Sequence, residues 1–139
     1  ESGLRPEQLE LELTESMVTS FSGPVIEKLN ELKALGLKLS IDDFGTGYTS
    51  IGYLKRFPVD KIKIDQSYIA DAAGDENSGA IVKAIIDLAH NLALSVVAEG
   101  VETKKQLEFL RENNCDYIQG FFFSKPVPVD EIDKMLVED

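Results

Sequence analysis

Five short strand-like runs, each followed by a helical or loop segment, constrain the fold more than any other feature of this sequence. Leu9-Glu10-Leu11-Glu12-Leu13-Thr14-Glu15 alternates apolar and polar residues with a period of two. Val59 to Asp65 does the same, with Ile62 and Ile64 on one face and Lys61, Lys63 and Asp65 on the other. The runs ending at Asp42-Asp43, Leu94-Ser95-Val96-Val97-Ala98 and Asp116-Tyr117-Ile118-Gln119-Gly120 are the other three. Between them the apolar spacing turns helical. Val25, Ile26, Leu29, Leu32 and Leu35 form a stripe opened by Ser22-Gly23-Pro24 and closed by Gly36. A short helix is expected around Ile51 to Lys55. Asp71 to Ser78 reads as a flexible loop, with Ser78 capping a helix whose stripe is Ile81, Ile85, Leu88, Ala89 and Leu92. Thr103-Lys104-Lys105-Gln106 is a capping box ahead of Leu107, Phe109 and Leu110, and a last amphipathic helix is expected from about Asp130 to Val137. Strict β/α alternation means a parallel sheet, either doubly wound or closed into a barrel.

In both parallel architectures ligands bind at the C-terminal ends of the strands. Four of the five runs end in, or just before, a functional polar group: Glu12, Asp42-Asp43, Glu99 and Gln119. The remaining run contributes Lys63 and Asp65. Acidic residues on three successive β/α units, joined by a lysine, point to a site. Its densest part is Asp42-Asp43-Phe44-Gly45-Thr46-Gly47-Tyr48-Thr49-Ser50, which by itself reads equally as an Asp-capped turn or a cation site. Lys63 lies mid-strand, where lysines are ordinarily exposed, yet on the polar face. Glu12 needs a cation or a proton if that face lines an interior. His90 lies within a helix, away from the acidic strand ends, and reads as a surface or packing residue.

A net charge of −11 excludes a nucleic-acid polymer as partner and suits a site that collects divalent cations. With 139 residues, 43% of them hydrophobic, the chain has enough for one modest core. Cys115 is the only cysteine, so no internal disulfide forms, and a reducing, cytoplasmic setting is expected. No apolar run approaches the roughly 20 residues of a membrane span, so no membrane contact is expected from this segment. Glu1-Ser2-Gly3 opens the chain without an initiator methionine, and the expectation is an excised or processed piece.

Five ordered motifs then carry a resemblance: Glu12-Leu13-Thr14-Glu15, Asp42-Asp43-Phe44-Gly45-Thr46-Gly47-Tyr48, Lys61-Ile62-Lys63-Ile64-Asp65, Ala98-Glu99-Gly100-Val101-Glu102-Thr103 and Gln119-Gly120-Phe121-Phe122-Phe123-Ser124-Lys125-Pro126. Together they closely resemble the EAL-domain family of cyclic di-GMP phosphodiesterases, over essentially the whole chain. The resemblance implies an α/β fold, part of a TIM-type barrel from about the fourth to the eighth of eight strands. Residues 1–139 would then be the C-terminal portion of a single domain. The name-giving Glu-Ala-Leu motif, and an asparagine completing the first metal site, are expected upstream.

The same resemblance implies roles. Glu12 and Asp42 would help bind a first metal; Asp42 would bridge to a second, held by Asp43 and Glu99. Lys63 would orient the nucleophilic water, making Lys63, Glu99 and Asp43 the catalytic set. Gln119 would contact that water or the metal shell. Glu15 would steady the loop of Phe44, Gly45, Thr46, Gly47, Tyr48, Thr49 and Ser50, a candidate switch in which Thr49 stands where serine is commoner. Asp65 and Glu102 would support the site from behind. The cofactors would be two Mg²⁺ or Mn²⁺ ions, which suit hard oxygen ligands and neutralise a phosphodiester's charge. The implied ligand is cyclic di-GMP, cleaved to linear pGpG; the isolated piece is expected to be inactive. The alternative is a degenerate EAL domain acting as a cyclic di-GMP sensor or interaction module. Open barrel edges lead to the expectation of a homodimer or other self-association.

Overall fold

The computed structural model describes residues 3–15, 17, 23–47 and 51–136. After a 3-10 turn at Pro6–Gln8 come β1 (Glu10–Thr14), α1 (Gly23–Ala34), β2 (Lys38–Phe44), α2 (Ile51–Leu54) and β3 (Lys61–Ile64). They are followed by α3 (Gln66–Ala72), α4 (Glu76–Asn91), β4 (Ser95–Ala98), α5 (Lys104–Glu112), β5 (Tyr117–Ile118) and α6 (Val129–Met135). The strands form one parallel sheet in chain order, β1-β2-β3-β4-β5. This is the α/β architecture that the alternation predicts.

The period-two pattern sorts the sheet into two faces. Leu39, Ile41, Ile62, Ile64, Val96 and Ala98 are wholly buried on one of them. They pack in one core with Leu29 of α1, Ile69 of α3, Val82 and Ile86 of α4, and Leu110 of α5. Each Val, Leu or Ile side chain among them contributes about 1.5–3 kcal/mol by leaving water, so this face fixes the helices on the sheet. Glu10, Glu12, Ser40, Asp42, Lys61 and Lys63 are left to the opposite face.

Three helices deliver the chain into strands by one device. Gly36, Ala93 and Asn114 follow α1, α4 and α5 with φ of 100°, 58° and 58°. The next amide then reaches back into the helix: Leu37 N–H to Leu32 O at 3.3 Å, Leu94 N–H to Ala89 O at 2.9 Å, Cys115 N–H to Leu110 O at 3.0 Å. These are Schellman ends, and each leads within a few residues into the next strand.

The structure departs from sequence expectation at several points. Asp71 to Ser78 is not a flexible loop: α3 runs to Ala72 and α4 begins at Glu76. Asp75, not Ser78, is the cap, and it accepts from the Ser78 N–H at 2.7 Å and from its hydroxyl at 2.8 Å. A carboxylate is the stronger acceptor, and Ile69 and Ala72, three residues apart, bury one face of α3. Leu35 lies beyond the last turn of α1 and is 63% exposed, so it leaves the expected stripe. The last strand is only two residues long. Its continuation bonds instead to the loop after β4, Val101 N–H to Gln119 O at 3.1 Å and Phe122 N–H to Val101 O at 2.9 Å. α6 ends at Met135, and Val137 lies outside the described residues. Among the described residues no helix is long and apolar enough to cross a membrane.

Candidate metal centre

Adjacent residues of a regular strand point to opposite faces, so Asp42 and Asp43 should not serve one site. A β-bulge removes the conflict. Ile41 pairs with Ile62 and Phe44 with Ile64, so three steps along β2 match two along β3. Asp43 takes up the extra residue in a left-handed conformation, φ 55°, and Gly45 follows at φ 101°. Bulges re-aim side chains in this way next to functional sites. Oxygens of Asp42, Asp43 and Glu99 consequently lie within 4.8 Å of one another.

Lys63 stands in the middle of the acidic cluster. Its side chain is only 8% exposed, and its Nζ lies 2.8 Å from Glu12 Oε1, 2.9 Å from Glu99 Oε1 and 3.0 Å from Asp42 Oδ1. Burial alone would lower the lysine pKa, but the close contacts with Glu12, Glu99 and Asp42, together with the Glu99 charge, outweigh it and hold the ammonium well above the ordinary range. Glu99 in the same ion pair moves upward too. Its burial, with the Asp42 and Glu12 charges, outweighs the pull of Lys63. The two directions agree physically: one ammonium among several carboxylates leaves the cluster short of positive charge. Asp42 Oδ1 is buried and, although Lys63 Nζ is 3.0 Å away, among the described residues no donor meets it at a hydrogen-bonding angle.

The turn after Asp43 is fastened from two sides. Glu15, 3% exposed, accepts the Gly45 and Gly47 N–H groups through Oε2, both at 2.9 Å. The Tyr68 hydroxyl of α3 donates to Gly45 O. Within the turn, the Thr46 hydroxyl donates to Asp43 O at 2.8 Å. Phe44 is a core residue, 7% exposed. Tyr48, Thr49 and Ser50, the rest of the expected loop switch, lie outside the described residues.

A cavity of about 740 Å³ opens beside the cluster, and Asp43, Asp65, Glu99, Glu102 and Gln119 all line it. Phe121, Ile132 and Met135 line it as well. Glu102 and Gln119 are exposed where they line it. Asp65 caps α3, accepting from the Ser67 N–H at 2.9 Å and from the Ser67 hydroxyl. His90 is a surface residue paired with Asp116 at 2.9 Å, at the start of β5 and so at the opposite end of the sheet from the cluster. Sequence reasoning missed Tyr68 and the second duty of Gln106. Beyond its place in the capping box, Gln106 donates from Nε2 to Ile69 O at 3.2 Å and Ala70 O at 3.3 Å, tying α5 to α3. No spacing rule flags either contact, because both partners are backbone carbonyls brought together only by the fold.

Comparison with known proteins places this geometry. The EAL domain family model matches residues 1–126. The cyclic di-GMP phosphodiesterase NbdA of Pseudomonas aeruginosa is 47% identical over 98% of this chain, which spans 17% of that protein's length. PaMucR phosphodiesterase, solved as a c-di-GMP complex, matches with a TM-score of 0.87 at 45% identity, covering 93% of this chain and 52% of that one. Klebsiella pneumoniae BlrP1, solved with manganese and cyclic di-GMP, matches with a TM-score of 0.82 at 40% identity, covering 89% and 32%. The chain belongs to the EAL domain family.

Proposed function

We propose that this chain carries the acidic half of a metal-dependent active site that hydrolyses cyclic di-GMP to linear pGpG, with residues 1–139 forming the C-terminal portion of one EAL domain. One observation carries the reading: Asp42, Asp43 and Glu99 gather oxygen donors within 4.8 Å at the C-terminal ends of neighbouring strands, in a cluster short of positive charge. The buried Asp42 Oδ1 without a hydrogen bond is the kind of atom a cation would satisfy. An all-carboxylate donor set fits a hard divalent ion, Mg²⁺ or Mn²⁺, and not one that prefers sulfur or imidazole.

In this reading Asp42, Asp43 and Glu99 would hold one cation, and Glu12 with Asp42 would help hold another. Two such ions neutralise phosphodiester charge and make water a stronger nucleophile. Lys63, kept charged by its three carboxylates, orients the attacking water and offers a fixed positive charge to the phosphoryl oxygens. Water adds to phosphorus and the P–O3′ bond breaks, leaving a 5′-phosphate and a free 3′-hydroxyl in pGpG. Gln119, on the cavity wall, contacts the water or the substrate, and Glu102 and Asp65 shape the same wall. Glu15 keeps the turn from Phe44 onward in place through its two glycine amides.

The test uses the full-length protein with cyclic di-GMP and Mg²⁺ or Mn²⁺, following pGpG by chromatography. Glu99→Gln and Asp43→Asn are each expected to lower turnover by about 100-fold. Hydrolysis that survives EDTA would sink the two-metal reading. Tight nucleotide binding without hydrolysis would favour the sensor instead.

A further inference from the structure

The turn that carries Asp43 holds a contact that neither the acidic cluster nor its ligands account for. Asp43 and Gly45 are both left-handed, a combination that a free turn leaves readily. Gly45 is gripped at both of its backbone polar groups. Its N–H donates to Glu15 at 2.9 Å, and its carbonyl accepts from the Tyr68 hydroxyl. The ring itself presses on the same residue: a Cβ on Gly45 would lie 2.8 Å from Tyr68 Cε2. Two independent observations, a hydrogen bond and a steric limit, thus place Tyr68 directly behind the turn.

Tyr68 is itself held from below. It sits in the first turns of α3, whose start is capped by Asp65 and whose carbonyls at Ile69 and Ala70 accept from the Gln106 side chain. Ile69, next to it, is fully buried. The hydroxyl is therefore presented by a fixed helix, and only the turn is left to move.

We propose that Tyr68 is a positioning residue for the metal centre: through the Gly45 carbonyl it holds the bulged turn in the conformation that turns the Asp43 carboxylate toward Asp42 and Glu99. The inference rests on the reading of those three carboxylates as cation ligands. It assigns to a phenolic hydroxyl, two β/α units' worth of chain away from Glu15, the second half of a clamp on one residue.

The experiment is Mn²⁺ titration by calorimetry on the full-length protein, without nucleotide, for wild type, Asp43→Asn and Tyr68→Phe. Amide hydrogen exchange at Gly45 and Gly47 is measured on the same samples. Removing one hydroxyl keeps the ring and its packing, so Tyr68→Phe is expected to stay folded and to melt at most a few degrees below wild type. It should bind Mn²⁺ about two- to tenfold more weakly, the loss of one hydrogen bond, and exchange the Gly45 and Gly47 amides faster. Wild-type Mn²⁺ affinity in Tyr68→Phe, alongside a clear defect in Asp43→Asn, would overturn the role of Tyr68 and leave the metal centre standing. Wild-type protein whose Mn²⁺ binding is unaffected by Asp43→Asn would overturn both.

Discussion

Lys63 is the residue on which the acidic cluster depends. Three carboxylates converge on its ammonium, and among the described residues no other cation reaches Glu12, Asp42 or Glu99. Its removal would leave like charges facing one another with one buried oxygen already lacking a hydrogen bond. Lys63→Met is expected to lower stability by about 3 kcal/mol, because uncompensated buried charge costs more than the pair contributes. Urea unfolding with and without MnCl₂ checks this: the cation should recover more of the loss in the variant than it adds to wild type. A second residue acts sterically. A Cβ on Gly120 would fall 2.2 Å from Val101 O and 2.3 Å from Val101 N, both backbone atoms that cannot swing aside. Gly120→Ala is therefore expected to cost about 3 kcal/mol and to shift Gln119 with it. A melting temperature equal to that of wild type would show that the chain after β5 is free to move there.

At the scale of elements, the helices do more than cover the sheet. α5 begins with a box in which Gln106 accepts from the Glu102 and Thr103 amides, each at 2.9 Å, while its Nε2 serves two carbonyls of α3. One buried side chain thus joins the loop after Glu99 to the helix that carries Tyr68. Gln106→Met conserves volume and strands four backbone groups, so a loss of about 2–4 kcal/mol is expected. Gln106→Glu keeps the acceptor and loses the donors, and its stability should fall between the two; chemical denaturation of the three proteins gives the order. The bulge in β2 is likewise a property of an element pair. The Asp-Asp dipeptide and the glycines after it were legible as a turn or a cation site, but the extra residue exists only relative to β3.

For the whole molecule, charge is arranged by end. The acidic cluster collects at the C-terminal ends of the strands, whereas the start of β3 is held by cations around Asp60. Asp60 accepts from the Lys33 ammonium and from the Leu39 N–H at 2.9 Å, with Lys38 at 3.8 Å. Burial raises its pKa, but these hydrogen bonds and charges outweigh burial and keep the carboxyl below its usual range. A native pKa below the unfolded one means that the native state binds fewer protons. The stabilisation is complete above the unfolded carboxylate value of about 4 and is lost as pH falls through the lower native value. Wild type should therefore lose melting temperature below about pH 4 more steeply than Asp60→Asn, which starts lower at pH 7. Parallel pH profiles for the two proteins would exclude Asp60 as a source of acid lability. Cys115 gives a simpler readout: burial pushes its thiol up to about 11, so native protein should alkylate slowly near neutral pH.

The sequence by itself determined the parallel β/α order, the apolar face of the sheet, and the family, because these depend on local period and spacing and on the order of short motifs along the chain. It also brought Glu12, Asp42, Asp43, Lys63 and Glu99 together as candidates. Only the tertiary structure decided that Lys63 is buried among three of those carboxylates rather than exposed, and that Asp42 and Asp43 serve one side despite being neighbours. It alone turned Asp65 into a helix cap and joined Tyr68 and Gln106 to backbone carbonyls. The physical reason is the same throughout: pattern fixes which face a side chain takes, but its partner is fixed by strand register and helix docking. Those depend on burial summed over the whole core.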